Sequence, residues 1–100
     1  MSRTRLELHE ILCDLLGSRN VYFSAPSRMS YPCIKYDKSP PSVKHADNIK
    51  YHSMNRWTIT LIDEDPDSEI SDKLTELKYC SFDRSYVADG LYHFVFTLYY

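Results

Sequence analysis

Six carboxylates crowd the stretch from Asp63 to Asp72, and no base stands among them: Asp63, Glu64, Asp65, Asp67, Glu69 and Asp72. Closely spaced oxygen donors are what a hard cation such as calcium takes as ligands. The run Asp63-Glu64-Asp65-Pro66-Asp67 lacks the glycine at the sixth position and the closing glutamate of an EF-hand loop. It reads instead as an acidic turn entering a helix, where the helix dipole favours negative charge.

The other groups able to do chemistry are scattered. Cys13, Cys33 and Cys80 form no CxxC pair, and mostly apolar flanks mark them as reduced, buried thiols. A cysteine nucleophile needs a base beside it, and Cys80 lies in an aromatic strand with no hint of one. His9, His45, His52 and His93 belong to four different elements, and no HxxxH or HExxH pair points to zinc. Gly17 and Gly90 serve as punctuation and belong to no phosphate-cradling loop. The residues therefore predict no catalytic, cofactor or metal site, and no enzyme.

The elements that must carry these residues are legible in the hydrophobic pattern. Leu8, Ile11, Leu12, Leu15 and Leu16 follow helical spacing and predict a helix over about residues 4–16, with Thr4 and Glu7 as a capping box and Gly17 as the left-handed stop. Val21-Tyr22-Phe23 and Tyr31 to Asp37 read as strands. The polar stretch 38–48, with Pro40-Pro41 at its centre, reads as a long loop or arm. Ile49 to His52 and Arg56 to Ile62 read as neighbouring strands. In the second, Trp57, Ile59 and Leu61 take one face, and Thr58, Thr60 and Ile62 take the other. A second helix spans about residues 68–77, capped by Asp67 or Ser68 with Ile70, Leu74 and Leu77 inward. Tyr79 to Asp83 and Leu91 to Tyr99 close the chain as strands, with a turn around Asp89-Gly90. Both faces of the last strand are apolar or aromatic, which places it in the sheet interior. The joints are mostly too short for parallel crossovers. One α+β domain over residues 1–100 results, with a mainly antiparallel sheet flanked by an N-terminal helix and a second short helix.

Composition narrows the function classes. A net charge of −2 argues against binding nucleic acid by phosphate neutralisation. No run approaches the roughly 20 apolar residues of a membrane span, and charges within the only N-terminal apolar stretch argue against a signal peptide. Nine tyrosines are suited both to strands and to surfaces that become buried between subunits. Charge is also segregated. Lys35, Lys38, Lys44, Lys50 and Arg56, against only Asp37 and Asp47 and with His45 and His52 nearby, make the stretch from Lys35 to Arg56 basic, and Asp63, Glu64, Asp65 and Asp67 make the turn after the Arg56–Ile62 strand acidic. Lys35, Lys38, Lys44, His45, Lys50, Arg56, Asp63, Glu64, Asp65 and Asp67 are thus the candidate contacts to another subunit or partner, since opposite charges on one small body can meet head to tail in a ring.

The runs Tyr31-Pro32-Cys33-Ile34-Lys35-Tyr36, Ala46-Asp47-Asn48, Trp57 through Ser68, Tyr79 through Tyr86 and Ala88-Asp89-Gly90-Leu91 carry a resemblance over about residues 6–100. They resemble small proteins of long-tailed bacteriophages and prophages encoded among the head–tail connection genes, often labelled minor capsid or tail completion proteins. The resemblance implies a tail-terminator fold, an antiparallel sheet flanked by helices. It also implies a virion protein, made in the host cytoplasm, that caps the tail tube as a hexameric ring and faces the head connector. Its partners would be copies of itself, the tail tube protein and the connector or neck protein, with the 38–48 arm reaching a neighbour or the tube. A head-completion or stopper protein of the neck is the alternative within this class. A small cytoplasmic adaptor or nucleic-acid-binding domain is the alternative outside it.

Overall fold

The computed structural model describes residues 5–24, 30–38 and 56–100. The 38–48 arm, apart from Lys38, and the strand expected over Ile49–His52 lie outside the described residues, as does Thr4 of the capping box. The order is α1 (Arg5–Leu16), β1 (Val21–Phe23), β2 (Cys33–Lys38), β3 (Arg56–Asp63), α2 (Glu69–Thr75), β4 (Cys80–Ala88) and β5 (Leu91–Tyr99). The strands form one five-stranded mixed sheet in the order β1-β2-β3-β5-β4. Three of its four ladders are antiparallel, and β5 sits inside the sheet as its two-sided apolar pattern requires. The parallel ladder is the short edge pair β1–β2, held by Val21, Tyr22 and Phe23 against Ile34, Lys35 and Tyr36.

Register decides which side chains make the core. Trp57, Ile59 and Leu61 lie opposite Leu98, Phe96 and Phe94 on β5, and opposite Lys38, Tyr36 and Ile34 on β2. All share one face, and Leu8, Leu12 and Cys13 of α1 and Leu74 of α2 close over it. Tyr36, Ile59, Leu61, Phe96, Leu8, Leu12 and Leu74 are fully buried. At about 1.5–3 kcal/mol for each large apolar side chain, this cluster outweighs anything the short helices contribute alone.

The helix ends and the turn follow local chemistry. The Gly17 amide donates to the Cys13 carbonyl at 2.9 Å with φ +81°, the left-handed stop that a glycine reaches without strain. Ser68 caps α2, its hydroxyl accepting from the Ile70 amide at 3.3 Å, and Glu69 and Asp72 fall in the first turn. Asp89 and Gly90 both have positive φ (55° and 75°), the conformation of a two-residue type I′ hairpin turn.

The last hairpin is longer than the hydrophobic pattern indicated. β4 runs from Cys80 to Ala88, so its pairing with β5 continues past Asp83 through a bulge between Phe82 and Arg84. The stretch Asp83-Arg84-Ser85 is polar because β4 is an edge strand whose residues Ser81 to Val87 are all exposed. Burial no longer dictates the residues there, and backbone pairing with β5 holds the strand together with ring contacts of Phe82 with Phe96 and Tyr86 with His93.

Replacing Ile59 by Ala should lower the unfolding free energy by roughly 2–5 kcal/mol. Val87→Ser on the exposed edge should change it by no more than about 0.5 kcal/mol. Urea titrations followed by circular dichroism would compare the two. Equal losses would contradict the assignment of Ile59 to the core and Val87 to the edge.

Candidate interaction surface

Charge is distributed along the strand direction. Arg56 and Asp63 begin and end β3, about 23 Å apart at ~3.3 Å per residue. Lys38 pairs with Trp57 and so lies at the Arg56 end, while Glu64, Asp65 and Asp67 continue beyond the Asp63 end. The structure thus brings Lys38 and Arg56 together at one pole and Asp63, Glu64, Asp65 and Asp67 together at the other. Lys35 stands between them opposite Thr60 on the second face, 3.6 Å from the Asp37 carboxylate. Lys44, His45 and Lys50 lie outside the described residues.

The acidic pole is shaped by its own backbone. The Asp65 amide donates to Asp63 Oδ1 at 3.1 Å, and the Asp67 amide donates to Asp65 Oδ1 at 2.9 Å. These successive Asx turns spend carboxylate lone pairs on main-chain amides and hold the loop between β3 and α2 tightly. Among the described residues no cluster of histidine, cysteine and carboxylate side chains is arranged to hold a metal ion.

The thiols lie in apolar surroundings. Burial pushes the Cys33 thiol up to about 11 from an ordinary 9.0, with the Asp63 carboxylate adding to the rise and Lys35 opposing it. Burial alone pushes Cys80 to about 11, and it is also the main cause of the rise at Cys13. At neutral pH these groups are protonated and weakly nucleophilic.

A polar contact that the sequence pattern did not indicate ties α1 to the sheet. The fully buried Tyr36 ring turns its hydroxyl toward His9 Nδ1 at 2.8 Å, and Arg5 donates to the same oxygen at 3.3 Å. His9 at one position and Arg5 four residues earlier share a helix face, which is the signal available in the sequence. Tyr36 also packs against Phe23 and Trp57, with ring centroids 5.3 and 5.7 Å away. Beside it the buried indole N–H of Trp57 has no hydrogen-bond acceptor among the described residues. His93, on the second face, stacks on Tyr86 at 4.7 Å with an interplanar angle of 14°.

The remaining feature is the outer edge of β4. Phe82, Tyr86 and Val87 are 50%, 46% and 63% exposed, and the opposite edge of the sheet exposes Phe23 at 46%. Large apolar side chains beside an unpaired strand edge form a template for another chain. The hydrophobic pattern did not reveal this edge, because it ended the strand at Asp83. A cavity of about 160 Å³ is lined by Leu8 and Ile11 of α1, Leu77 and Lys78 after α2, and Leu98 and Tyr100 at the end of β5.

Comparison with family models, with curated proteins and with solved structures found no match to this chain. Among the described residues no helix is long and apolar enough to cross a membrane.

The raised thiol values give a pH prediction. The folded chain keeps the Cys33 and Cys80 protons to about pH 11, while the unfolded chain releases them near 9.0. The native state binds more protons in this window, so their contribution to stability is complete below about pH 9 and is lost as pH rises toward 11. A Cys33→Ala/Cys80→Ala variant should lose less stability across pH 8.5–11 than the parent in parallel denaturant titrations. Identical slopes would remove the two thiols as the cause.

Proposed function

We propose that this chain is a phage virion structural protein of the head–tail junction, the tail terminator, which caps the tail tube as a ring and acts by self-assembly without catalysis. The observation that carries the reading is charge polarity. Lys38 and Arg56 stand at one end of the strands, and Asp63, Glu64, Asp65 and Asp67 stand at the other. Copies standing side by side in one orientation form a ring with a basic rim and an acidic rim, so the two charge groups face other partners and do not meet head to tail between neighbours as expected from the sequence. Two unlike faces are what a terminator needs, one complementary to the last ring of the tube and one that accepts the connector but no further tube subunit.

The resemblance over about residues 6–100 supports this reading, as does a mainly antiparallel sheet with helices on one face. The chemistry of the thiols agrees with it, because buried, protonated sulfur offers no ready nucleophile. The partners are other copies of the chain, the tail tube protein and the head connector, and they are recognised by surface complementarity.

Solution mass and particle morphology test the proposal. The purified protein should form a ring of about six subunits, or add as one to isolated tubes. Particles assembled without it should carry overlong tubes by electron microscopy. Tails of normal length left unattached to heads would assign the protein to head completion instead. A monomer that shifts single-stranded DNA at physiological salt would abandon both readings.

A further inference from the structure

We propose that the cavity framed by α1, the end of α2 and the end of β5 binds a small carboxylate whose apolar body is about the size of a benzene ring. Such a molecule binds a single copy of the chain and needs no assembly.

Size and lining supply the first reason. The cavity holds about 160 Å³, and dry cavities of ~150 Å³ walled by leucine and isoleucine take up benzene. Buried Leu8 and Leu98 form its floor, and half-buried Ile11 and Leu77 form its sides. Water gains little there, because a trapped water needs several polar partners. The walls are also held apart. Leu8 and Leu98 belong to the main core. The turn carrying Leu77 and Lys78 is pinned twice, the Cys80 amide donating to the Leu77 carbonyl at 3.2 Å and the Tyr99 amide donating to the Tyr79 carbonyl at 3.1 Å. Between them Tyr79 keeps φ +63°, a left-handed conformation that bulky side chains rarely adopt. A space that persists between fixed walls forfeits contacts, and an apolar body of matching size restores them.

Charge supplies the second reason. Lys78 carries the one charged side chain of the lining. Its ammonium lies 5.2 Å from the centroid of the exposed Tyr79 ring and forms no ion pair among the described residues, although Glu76 stands two residues before it. Leu98 pairs with Trp57 and Trp57 with Lys38, so the cavity lies at the Lys38 and Arg56 end of the strands, the basic pole. One ammonium matches the single charge of a carboxylate better than the nearly doubled charge of a phosphate monoester. The carboxylate sits at the exposed Lys78 and the apolar body sits on Leu8 and Leu98 beneath it.

Benzoate, benzyl alcohol and acetate, each titrated into the parent protein and followed by methyl NMR shifts, test the site. Benzoate should give saturable shifts at Leu8, Ile11, Leu77 and Leu98. Benzyl alcohol should move the same methyl groups with roughly fivefold weaker affinity, the worth of one exposed ion pair. Acetate, which has no ring, should move none of them. Lys78→Gln should bring benzoate down to the affinity of benzyl alcohol and leave benzyl alcohol unchanged. Ile11→Phe, which fills the space, should abolish binding of both while keeping the parent's circular dichroism; the parent titrations decide the matter even if this variant does not fold. The absence of saturable shifts with benzoate up to about 10 mM would overturn the proposal. So would equal affinity for benzoate and benzyl alcohol, or shifts confined to residues away from the cavity. Saturation by an acidic peptide carrying one phenylalanine, with no response to benzoate, would overturn it in favour of a protein partner.

Discussion

The fold depends on one constraint, the pairing of β3 with β5 in a register that puts Trp57, Ile59 and Leu61 opposite Leu98, Phe96 and Phe94. A slip of β3 by one residue would turn Trp57, Ile59 and Leu61 away from α1 and α2 and bring Thr58 and Thr60 beneath the helices. Leu8, Leu12 and Leu74 cover that surface together with Val21, Ile34 and Tyr36 of the neighbouring strands. Both helices are short, and neither would hold its shape without this sheet beneath it. The charged poles exist for the same reason, since β3 is continuous from Arg56 to Asp63 and separates them by its full length.

What the sequence revealed and what it concealed divide along burial. Wherever a side chain is sealed in the core, its type and spacing announced the element. The Leu8-to-Leu16 stripe marked α1, the alternation after Arg56 marked β3, and the two-sided pattern after Leu91 marked an interior strand. The second half of β4 was concealed because an exposed edge strand needs no apolar alternation. The backbone of β5 recruits Asp83, Arg84 and Ser85 whatever their polarity. The parallel β1–β2 ladder was equally hidden, since the identity of Val21-Tyr22-Phe23 says nothing about strand direction.

The candidate contacts were legible as charge and less so as geometry. Composition separated basic from acidic residues, and strand length then gave the distance between them. It could not show that Asp63 and Asp65 already accept main-chain amides, which makes the acidic turn a rigid, preshaped surface. Nor did it indicate the Arg5–Tyr36–His9 contact, because a tyrosine in a strand looks the same whether its hydroxyl is satisfied or free.

Trp57 is the chain's single tryptophan, and its indole is 96% shielded, without an acceptor for its N–H among the described residues. An indole held in such dry, apolar company emits at short wavelength. The Phe23 ring lies 6.3 Å away and forms the outer wall of that niche, at the border of the sheet. The protein therefore contains its own optical gauge, whose colour reports whether the wall beside it is wet or covered.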